Sequence, residues 1–158
     1  VVEGVLYNKT EKKIICYPRS KEDNFYKVPE GTLSIGDAAF AYCNSLTSIE
    51  LPDSVTIIEN WAFYYCNSLV SIELPDSVTT IGYGAFYDCE SLTSIELPNS
   101  VTSIDYRVFD GCNILTLTVE KDSYAETYVK EQNLNYIYAN SESSQQELST
   151  TNRIPFWN

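Results

Sequence analysis

Apolar side chains recur through the middle of the chain at a constant interval of 23 residues, and polar residues separate them. The aromatic positions are Phe40, Phe63, Phe86 and Phe109, and the thiol positions are Cys43, Cys66, Cys89 and Cys112. Three more columns keep this interval: Leu46, Leu69, Leu92 and Leu115; Ile35, Ile58, Ile81 and Ile104; and Pro29, Pro52, Pro75 and Pro98. Five columns in phase over four copies indicate an internal repeat, which we place at residues 28–120 as four units.

A unit of 23 residues is too short to enclose a core of its own. Each unit must therefore bury its apolar side against its neighbours, which predicts a solenoid with the phenylalanine and cysteine columns as its structural spine. Within one unit we predict a parallel strand at Leu46–Leu51 and a second extended segment at Val55–Ile58. A short helical or 3₁₀ turn at Asn60–Tyr65 should direct Phe63 inward.

The repeat has a sequence that resembles a known family. The segment from Leu74 to Pro98, LPDSVTTIGYGAFYDCESLTSIELP, resembles the BspA-type leucine-rich repeat. The resemblance covers residues 28–120, and both flanks resemble segments common in that family. It implies a right-handed, β-rich leucine-rich-repeat coil with parallel strands on the concave face. It also implies a cell-surface or extracellular protein of host-associated bacteria or parasitic protists, with a role in binding or adhesion.

The ends of an open solenoid expose apolar surface, so atypical terminal units are expected. Residues 1–27 are predicted to form an N-terminal β-hairpin cap, because two apolar runs flank the polar turn at 8–13. Residues 121–139 are predicted to form a C-terminal helix–strand cap. Polar residues dominate the start of 140–158, which we interpret as a flexible tail or linker. The apolar run at its end, 153–158, is either a cut inside a longer protein or a segment that docks into a neighbouring chain.

The C-terminal cap has several sequence features of its own. Leu117 and Val119 are displaced by one position from the repeat, which predicts a slipped or bulged last strand. Ser123 as N-cap and Glu126 at the third helical position match a capping box. The predicted inner face of the helix carries Ala125, Tyr128, Val129 and Gln132. Asn133 is predicted as the C-cap residue, and Asn135–Ala139 as a closing strand.

Charge narrows the range of partners. The net charge is −12, and between Val28 and Glu120 only Arg107 is basic, against 13 acidic residues. A surface that binds nucleic acid or anionic lipid needs the opposite sign, so both partners are disfavoured. No apolar run approaches the roughly 20 residues of a membrane helix, so membrane insertion is not expected.

The residue types present argue against catalysis. The chain has no histidine, which excludes Ser-His-Asp and Cys-His mechanisms within it. Stacked glutamates lie at the carboxylate spacing of a retaining glycosidase, but a repeated column gives them nearly identical surroundings. Acid and base catalysis needs carboxylates whose pKa values differ. We therefore predict a protein that is not an enzyme and has no cofactor, catalytic residue or metal site.

Two exposed sets of side chains are candidates for binding. The first is predicted on the concave face and consists of Ser48, Glu50, Ser71, Glu73, Ser94 and Glu96. Its carboxylates, about 4.8 Å apart, must be solvated, paired or bridged by a cation, and we favour solvation over calcium. The second set surrounds the phenylalanine positions on the turn side. It includes Tyr42, Tyr64, Tyr65 and Tyr87 as candidate aromatic contacts, with Tyr83 and Tyr106 beside them, and both ligand contact and packing remain open.

Polar turn residues and cysteines have more ordinary interpretations. Asp53-Ser54 and its repeats follow the strand-ending prolines and are expected to bond their own backbone, with calcium loops as the less favoured alternative. Stacked cysteines lie within Cα range of disulfides, but parallel Cβ vectors disfavour a bridge and a straight column disfavours tetrahedral zinc. We therefore expect buried free thiols in the column and a packed thiol at Cys16.

Together these patterns favour a non-catalytic, monomeric module that binds a protein or glycan ligand outside the cell. The alternative is a passive spacer or stalk segment of a larger surface protein. The two differ in whether an isolated chain binds any ligand.

The cysteine analysis predicts that thiol titration of the unfolded, unreduced protein will find five free thiols. Ellman's reagent in denaturant measures the number directly. Three or fewer thiols would show at least one disulfide and contradict this interpretation.

Overall fold

The computed structural model describes residues 4–139. The segment interpreted as a tail, 140–158, lies outside the described residues, so that interpretation stays a prediction. The elements in chain order are β1 (Leu6–Asn8), β2 (Lys13–Cys16), β3 (Phe25–Lys27), β4 (Ser34–Ile35), β5 (Ser48–Glu50), β6 (Ile57–Ile58), β7 (Ser71–Ile72), β8 (Thr80–Ile81), β9 (Ser94–Leu97), β10 (Ser103–Ile104), β11 (Thr116–Val119), α1 (Tyr124–Glu131) and β12 (Tyr136–Tyr138).

The strands form two six-stranded sheets along a solenoid of about five turns, here called coils. The first sheet has the order β1-β2-β4-β6-β8-β10, and the second has the order β12-β11-β9-β7-β5-β3. Apart from the β1–β2 hairpin, all neighbouring strands are parallel. Pairing of Ile35 with Ile58 and of Ile58 with Ile81 follows the 23-residue interval, which confirms the predicted repeat solenoid.

Each coil turns through residues with left-handed backbone. In the second unit, Trp61 has φ of 57° and Tyr65 has φ of 56°. Between them the Tyr64 amide donates to the Trp61 carbonyl at 2.9 Å. The segment predicted as a short helical or 3₁₀ turn is thus a set of separate hydrogen-bonded turns, because the left-handed residues prevent a continuous helix. It still directs Phe63 into the core, where that side chain is fully buried.

The phenylalanine column is a continuous stack inside the solenoid. Ring centroids of Phe40, Phe63, Phe86 and Phe109 follow one another at 5.3, 5.1 and 5.7 Å. A tyrosine lies at each end of this stack: Tyr17 stacks on Phe40 at 5.3 Å, and Tyr128 meets Phe109 edge-on at 6.4 Å. The predicted spine is therefore present, and its two terminal members come from the caps.

The cysteine column is tied to the phenylalanine backbone. The thiol of Cys66 donates to the Phe40 carbonyl at 3.0 Å, and that of Cys89 donates to Phe63 at 3.1 Å. All five cysteines are free, and burial raises the pKa of the Cys43 and Cys66 thiols to about 12. A thiol of this kind stays protonated and unreactive, so the buried part of the column is structural.

The serines after the strand-ending prolines also bond between coils. Ser54 donates to the Thr32 carbonyl at 2.7 Å, and Ser77 donates to the Val55 carbonyl at 2.6 Å. The expectation that these hydroxyls would bond their own backbone was wrong. A carbonyl on the preceding coil lies within reach of each hydroxyl, and bonding it satisfies a polar group at the coil interface.

The N-terminal segment forms the predicted hairpin, which adds two strands to the first sheet, and it also adds one strand, β3, to the second. β1 pairs with β2, β2 pairs with β4, and β3 pairs with β5. The prediction of a packed Cys16 was wrong, because that side chain is exposed. The register shifts within the hairpin, where Leu6 is opposite Cys16 but Tyr7 is opposite Ile14. Such an irregularity changes which side chains face the core, so Tyr17 is buried in place of Cys16.

The last repeat strand is slipped by one residue, as predicted. Leu117 lies opposite Ile95 and Val119 lies opposite Leu97, an interval of 22 residues instead of 23. Both displaced side chains are fully buried. The slip therefore keeps the apolar face of β11 on the core.

The cap helix begins as the sequence predicts, and the Glu126 amide donates to the Ser123 hydroxyl at 3.0 Å. The Glu126 carboxylate accepts hydrogen bonds from Lys130, from the Tyr138 hydroxyl and from the Asp122 amide, each at 2.6 Å. The hydrogen bond from Lys130 contributes most to lowering the pKa of Glu126 to about 2. This carboxylate thus joins the start of the helix to the closing strand.

The end of the helix differs from the prediction. Gln132 was expected on the inner face, but it is the C-cap residue and is exposed. Asn133, predicted as the C-cap, is the next residue and has φ of 54°. The helix is one residue shorter than the apolar pattern suggested, so Gln132 falls outside its buried face. The closing strand is present at β12.

The spine predicts a large stability effect at its centre. Phe63→Ala should lower the free energy of unfolding by about 3–5 kcal/mol, because a fully buried ring leaves a cavity. Urea unfolding measures the change. Phe25→Ala, at a position 49% exposed in β3, is the matched control and should change it by about 0.5 kcal/mol or less. Equal losses in the two variants would contradict the spine.

The cap predicts a defined response to acid. Because the folded-state pKa of Glu126 is about 2, below its ordinary 4.5, its stabilising effect is complete above pH 4.5 and is lost as the pH falls toward 2. The melting temperature of the wild-type chain should fall more over this range than that of Glu126→Gln, as measured by circular dichroism. Glu131→Gln, on the exposed side of α1, should keep the wild-type pH dependence. Identical acid profiles for all three proteins would contradict this role.

Candidate functional site

The first candidate surface, called the strand face, is formed by the second sheet. It consists of Ser48, Glu50, Ser71, Glu73, Ser94 and Glu96. Strand pairing places Ser48 opposite Ser71 and Ser71 opposite Ser94, so the hydroxyls form one row. The glutamates lie two residues further along each coil and are exposed. The structure thus brings these residues together as expected, while their use in binding stays a prediction.

A lysine that sequence analysis missed extends the glutamate row. Lys27 pairs with Glu50 across β3 and β5, and its ammonium forms an ion pair with that carboxylate. This hydrogen bond raises the pKa of Lys27. Lys27 precedes Glu50 by one repeat interval, so the 23-residue spacing could have identified it.

The chemistry of the strand face is that of a polar recognition surface. Hydroxyls can donate and accept hydrogen bonds, and carboxylates can accept them from a polyhydroxylated or amide-rich ligand. Glu73 and Glu96 occupy equivalent strand positions, which gives no basis for separating an acid from a base. Within residues 4–139, no group of three or more acidic or cysteine side chains is placed to hold a metal ion.

The second candidate surface, called the aromatic face, covers the turns. It consists of Tyr42, Trp61, Tyr64, Tyr65, Tyr83 and Tyr87. The ring of Trp61 lies at its centre, with centroid distances of 4.8 Å to Tyr64, 4.7 Å to Tyr83 and 5.9 Å to Tyr87. Tyr42 contacts Tyr64 and Tyr65 at 5.4 and 5.3 Å. The predicted tyrosines are therefore one contiguous cluster.

Sequence analysis missed Trp61, although the repeat alignment marks it. Trp61 occupies the column of Gly84, and both residues have left-handed backbone, with φ of 57° and 58°. The indole also lies directly over that glycine, since a Cβ at Gly84 would come within 2.4 Å of the ring. A tryptophan at a position where another unit has glycine was the available signal.

The backbone beneath the aromatic face is costly for bulky residues. Tyr42, Trp61 and Tyr65 all have positive φ, between 56° and 63°. A left-handed conformation costs an L-residue with a Cβ about 1–2 kcal/mol, whereas glycine adopts it freely. Contacts between the rings, at about 0.5–1.5 kcal/mol for each pair, are large enough to offset this cost.

Charged side chains border the aromatic face. The guanidinium of Arg19 lies 4.7 Å from the ring centroid of Tyr42, and that of Arg107 lies 5.1 Å from the centroid of Tyr87. A hydrogen bond to Asp88 raises the pKa of Tyr65 to about 12, so its hydroxyl stays neutral. The surface therefore combines aromatic rings, neutral phenols and two cations.

A groove of about 290 Å³, called the Gly82 groove, crosses the first sheet. Glu59 and Asp105 lie on its two sides, with Gly82 between them and the Thr80 and Ser103 hydroxyls along its length. Sequence analysis did not identify it. Its signal is the alternation of glycine and acid in one column, which reads Gly36, Glu59, Gly82 and Asp105.

Comparison with known proteins agrees with this geometry. The sequence model of one family, described as the BspA type leucine rich repeat region, matches residues 16–136 in six copies. The chain belongs to this family. The match confirms the resemblance inferred from the repeat, while a search of the curated proteins finds no match for this BspA-type chain.

Solved structures show the same fold in bacterial proteins. A leucine rich cell surface protein from Faecalibacterium prausnitzii A2-165 is 32% identical with a TM-score of 0.76, over 90% of this BspA-type chain and 40% of that chain. The pneumococcal vaccine antigen PcpA is 34% identical with a TM-score of 0.72, over 75% of this chain and 29% of the antigen. A leucine-rich repeat protein from Bacteroides capillosus ATCC 29799 is 29% identical with a TM-score of 0.65, over 76% of this chain and 97% of that protein.

These matches define the scope of the comparison. The BspA-type chain spans 40% of the Faecalibacterium protein and 29% of the pneumococcal antigen, so it corresponds to a part of each. In the described part of the chain, no helix has both the length and the apolar character needed to cross a bilayer.

Proposed function

We propose that this chain is a non-catalytic interaction module of a cell-surface or extracellular protein, and that it binds a protein or glycan ligand through its aromatic face. The observation that carries the proposal is a cluster of bulky aromatic side chains on left-handed backbone. A turn that only closes the coil would be more stable with glycine, as at Gly84 in the same column as Trp61. Ala38 and Arg107 have the same left-handed backbone in this column, so the conformation belongs to the coil, and the aromatic side chain is what sets Trp61 apart.

The chemistry of the cluster supports ligand contact. Tyrosine and tryptophan offer large apolar surfaces with a polar group at one end, and both are enriched at protein interfaces. Tryptophan, tyrosine and arginine are also the residues that dominate binding energy at such interfaces. The aromatic face contains the first two, and Arg19 and Arg107 lie against it.

The strand face is the competing candidate for the contact surface. Its rows of serine and glutamate suit a polar ligand, and Glu73 and Glu96 are exposed. The location rests on the relatives, because the Faecalibacterium protein is described as a cell surface protein.

A spacer or stalk segment is the alternative function. It is favoured by one observation, namely that the chain spans only 40% of the Faecalibacterium protein. A repeat segment inside a longer protein can separate other domains without binding a ligand.

Binding to arrays of extracellular matrix proteins and of glycans tests the proposal. We expect the wild-type chain to bind at least one component. The double variant Trp61→Gly and Tyr65→Asn should weaken that binding at least about tenfold, since it removes two aromatic contacts. Both new residues suit left-handed backbone, so the double variant should remain folded.

The matched control for this experiment changes the strand face. Glu50→Gln, Glu73→Gln and Glu96→Gln together leave the aromatic face intact and should keep the wild-type affinity. If only this triple variant loses binding, the strand face is the contact surface and the aromatic assignment is wrong. If the wild-type chain binds no component of either array, the result supports the spacer function instead.

A further inference from the structure

The first sheet contains an internal example of a bound cation. The stem of Lys13 lies over Gly36, where a Cβ would come within 3.1 Å of the lysine Cδ. The ammonium passes the glycine and reaches the Glu59 carboxylate on the next coil at 3.1 Å. The two side chains are only 24% and 22% exposed. Their hydrogen bond raises the pKa of Lys13, so the ammonium remains charged.

The same backbone arrangement occurs again two coils further along. Gly82 is equivalent to Gly36, and Asp105 is equivalent to Glu59, because each pair is separated by two repeat intervals. Strand pairing aligns Lys13 with Ser34 and Ser34 with Ile57, so the position equivalent to Lys13 belongs to an isoleucine. This second arrangement therefore has the glycine and the acid without the lysine.

Within the described residues, no cationic side chain pairs with the Asp105 carboxylate of the second arrangement. The Asp105 carboxylate accepts the backbone amide of Tyr106 at 2.6 Å, and no lysine or arginine in residues 4–139 forms an ion pair with it. Arg107, the nearest arginine in sequence, is paired with Asp110 at 2.8 Å. Asp105 is thus an exposed anion beside a groove, on a chain whose net charge is −12.

The Gly82 groove has the features that a lysine side chain requires. Ile57 is 39% exposed at one end and offers apolar contact for the methylene stem. Thr80 and Ser103 offer hydroxyl oxygens along the groove, and Asp105 offers the carboxylate. The close approach of the previous coil requires glycine at the floor, since a Cβ on Gly82 would come within 2.7 Å of the Asn60 side-chain oxygen.

A single ammonium suits this site better than a metal ion. Metal ions of the calcium type take six to eight oxygen ligands, several of them carboxylates. No group of three or more acidic or cysteine side chains in the described residues can hold a metal ion. Of the three carboxylates that line the groove, Glu59 pairs with Lys13 and Asp37 accepts the Asn60 amide at 3.0 Å. Asp105 and the neighbouring hydroxyls therefore remain for the three donors of a lysine ammonium.

We propose that the Gly82 groove takes a lysine side chain from a protein partner, held as Lys13 is held over Gly36. This inference rests on the proposed function, and it specifies a protein as the ligand. The two surfaces are adjacent, because Asn60 lines the groove and precedes Trp61, and Tyr83 follows Gly82. A partner on the aromatic face can therefore place a lysine in the groove.

The experiment uses the peptide acetyl-Gly-Lys-Gly-amide as the probe, with its ε-N-acetylated form as the uncharged control. The nitrogen-15 chain is titrated at low salt and followed by two-dimensional NMR. We expect saturable shifts at the amides of Gly82, Tyr83 and Asp105 with the lysine peptide and no such shifts with the acetylated peptide. Asp105→Asn should weaken the interaction about fivefold. Asp53→Asn, at an exposed loop position, is the matched control and should leave it unchanged.

A second variant fills the groove from within. Ile57→Lys places a lysine where the repeat puts Lys13, so it should abolish the peptide-induced shifts and raise the melting temperature at low salt. Ile57→Gln has similar length without the charge, and because it removes only the apolar contact it should weaken the shifts without abolishing them. If Ile57→Lys does not fold, the comparison of Asp105→Asn with Asp53→Asn still decides the question.

Several outcomes would overturn the inference. They are shifts spread evenly over the acidic surface, equal shifts with the acetylated peptide, or the same shifts produced by calcium or by neutral oligosaccharides. Evenly spread shifts would indicate general charge attraction, and equal shifts with the acetylated peptide would show that the ammonium is not recognised. The same shifts with calcium or with oligosaccharides would assign the groove to a metal ion or to a glycan. The array experiment is independent of this one, so an array ligand that depends on Trp61 while the lysine peptide fails would leave the proposed function standing. Lysine binding in the groove without any array ligand would support the groove assignment and count against the proposed binding through the aromatic face.

Discussion

Burial between successive coils is the interaction on which the rest of this structure depends. No coil has a core of its own, so each Phe ring is buried by the rings before and after it, 5.1–5.7 Å away. Polar groups obey the same constraint. The Cys66 thiol and the Ser54 hydroxyl both bond carbonyls on the preceding coil, which satisfies groups that the stacking removes from water. Because residues one repeat apart become neighbours, each surface side chain of the repeats lies in a row with its equivalents on the adjacent coils.

Departures from these rows are therefore the informative positions. A glycine in the column of Trp61 shows that the backbone needs no bulky residue there, and the half-buried indole packs over that glycine instead. An isoleucine in the column of Lys13 leaves Asp105 without the cation that its equivalent, Glu59, receives. In a protein made of near-identical units, the comparison of one unit with another separates the positions that the fold requires from those that it leaves free to vary.

The regular part of the molecule was predictable because residues that are 23 positions apart in the sequence lie next to each other on adjacent coils. It correctly placed the spine, the strand face and the slip of the last strand, in which the apolar pattern of Leu117 and Val119 moves by one residue. The errors fall where the interval no longer applies. Cys16 faces solvent because of an irregular hairpin register, and Gln132 is exposed because the cap helix ends before it.

The sequence by itself determined the solenoid, the family and the residues that share each row, since the repeat interval can be read directly from the spacing of residue types along the chain. Only the tertiary structure decided how the rows interact with one another. The position of the indole over Gly84, the ion pair of Lys27 with Glu50 and the groove between Glu59 and Asp105 depend on side-chain directions across different coils. Those directions follow from left-handed turns and from the close approach of neighbouring backbones, which a repeat interval does not specify.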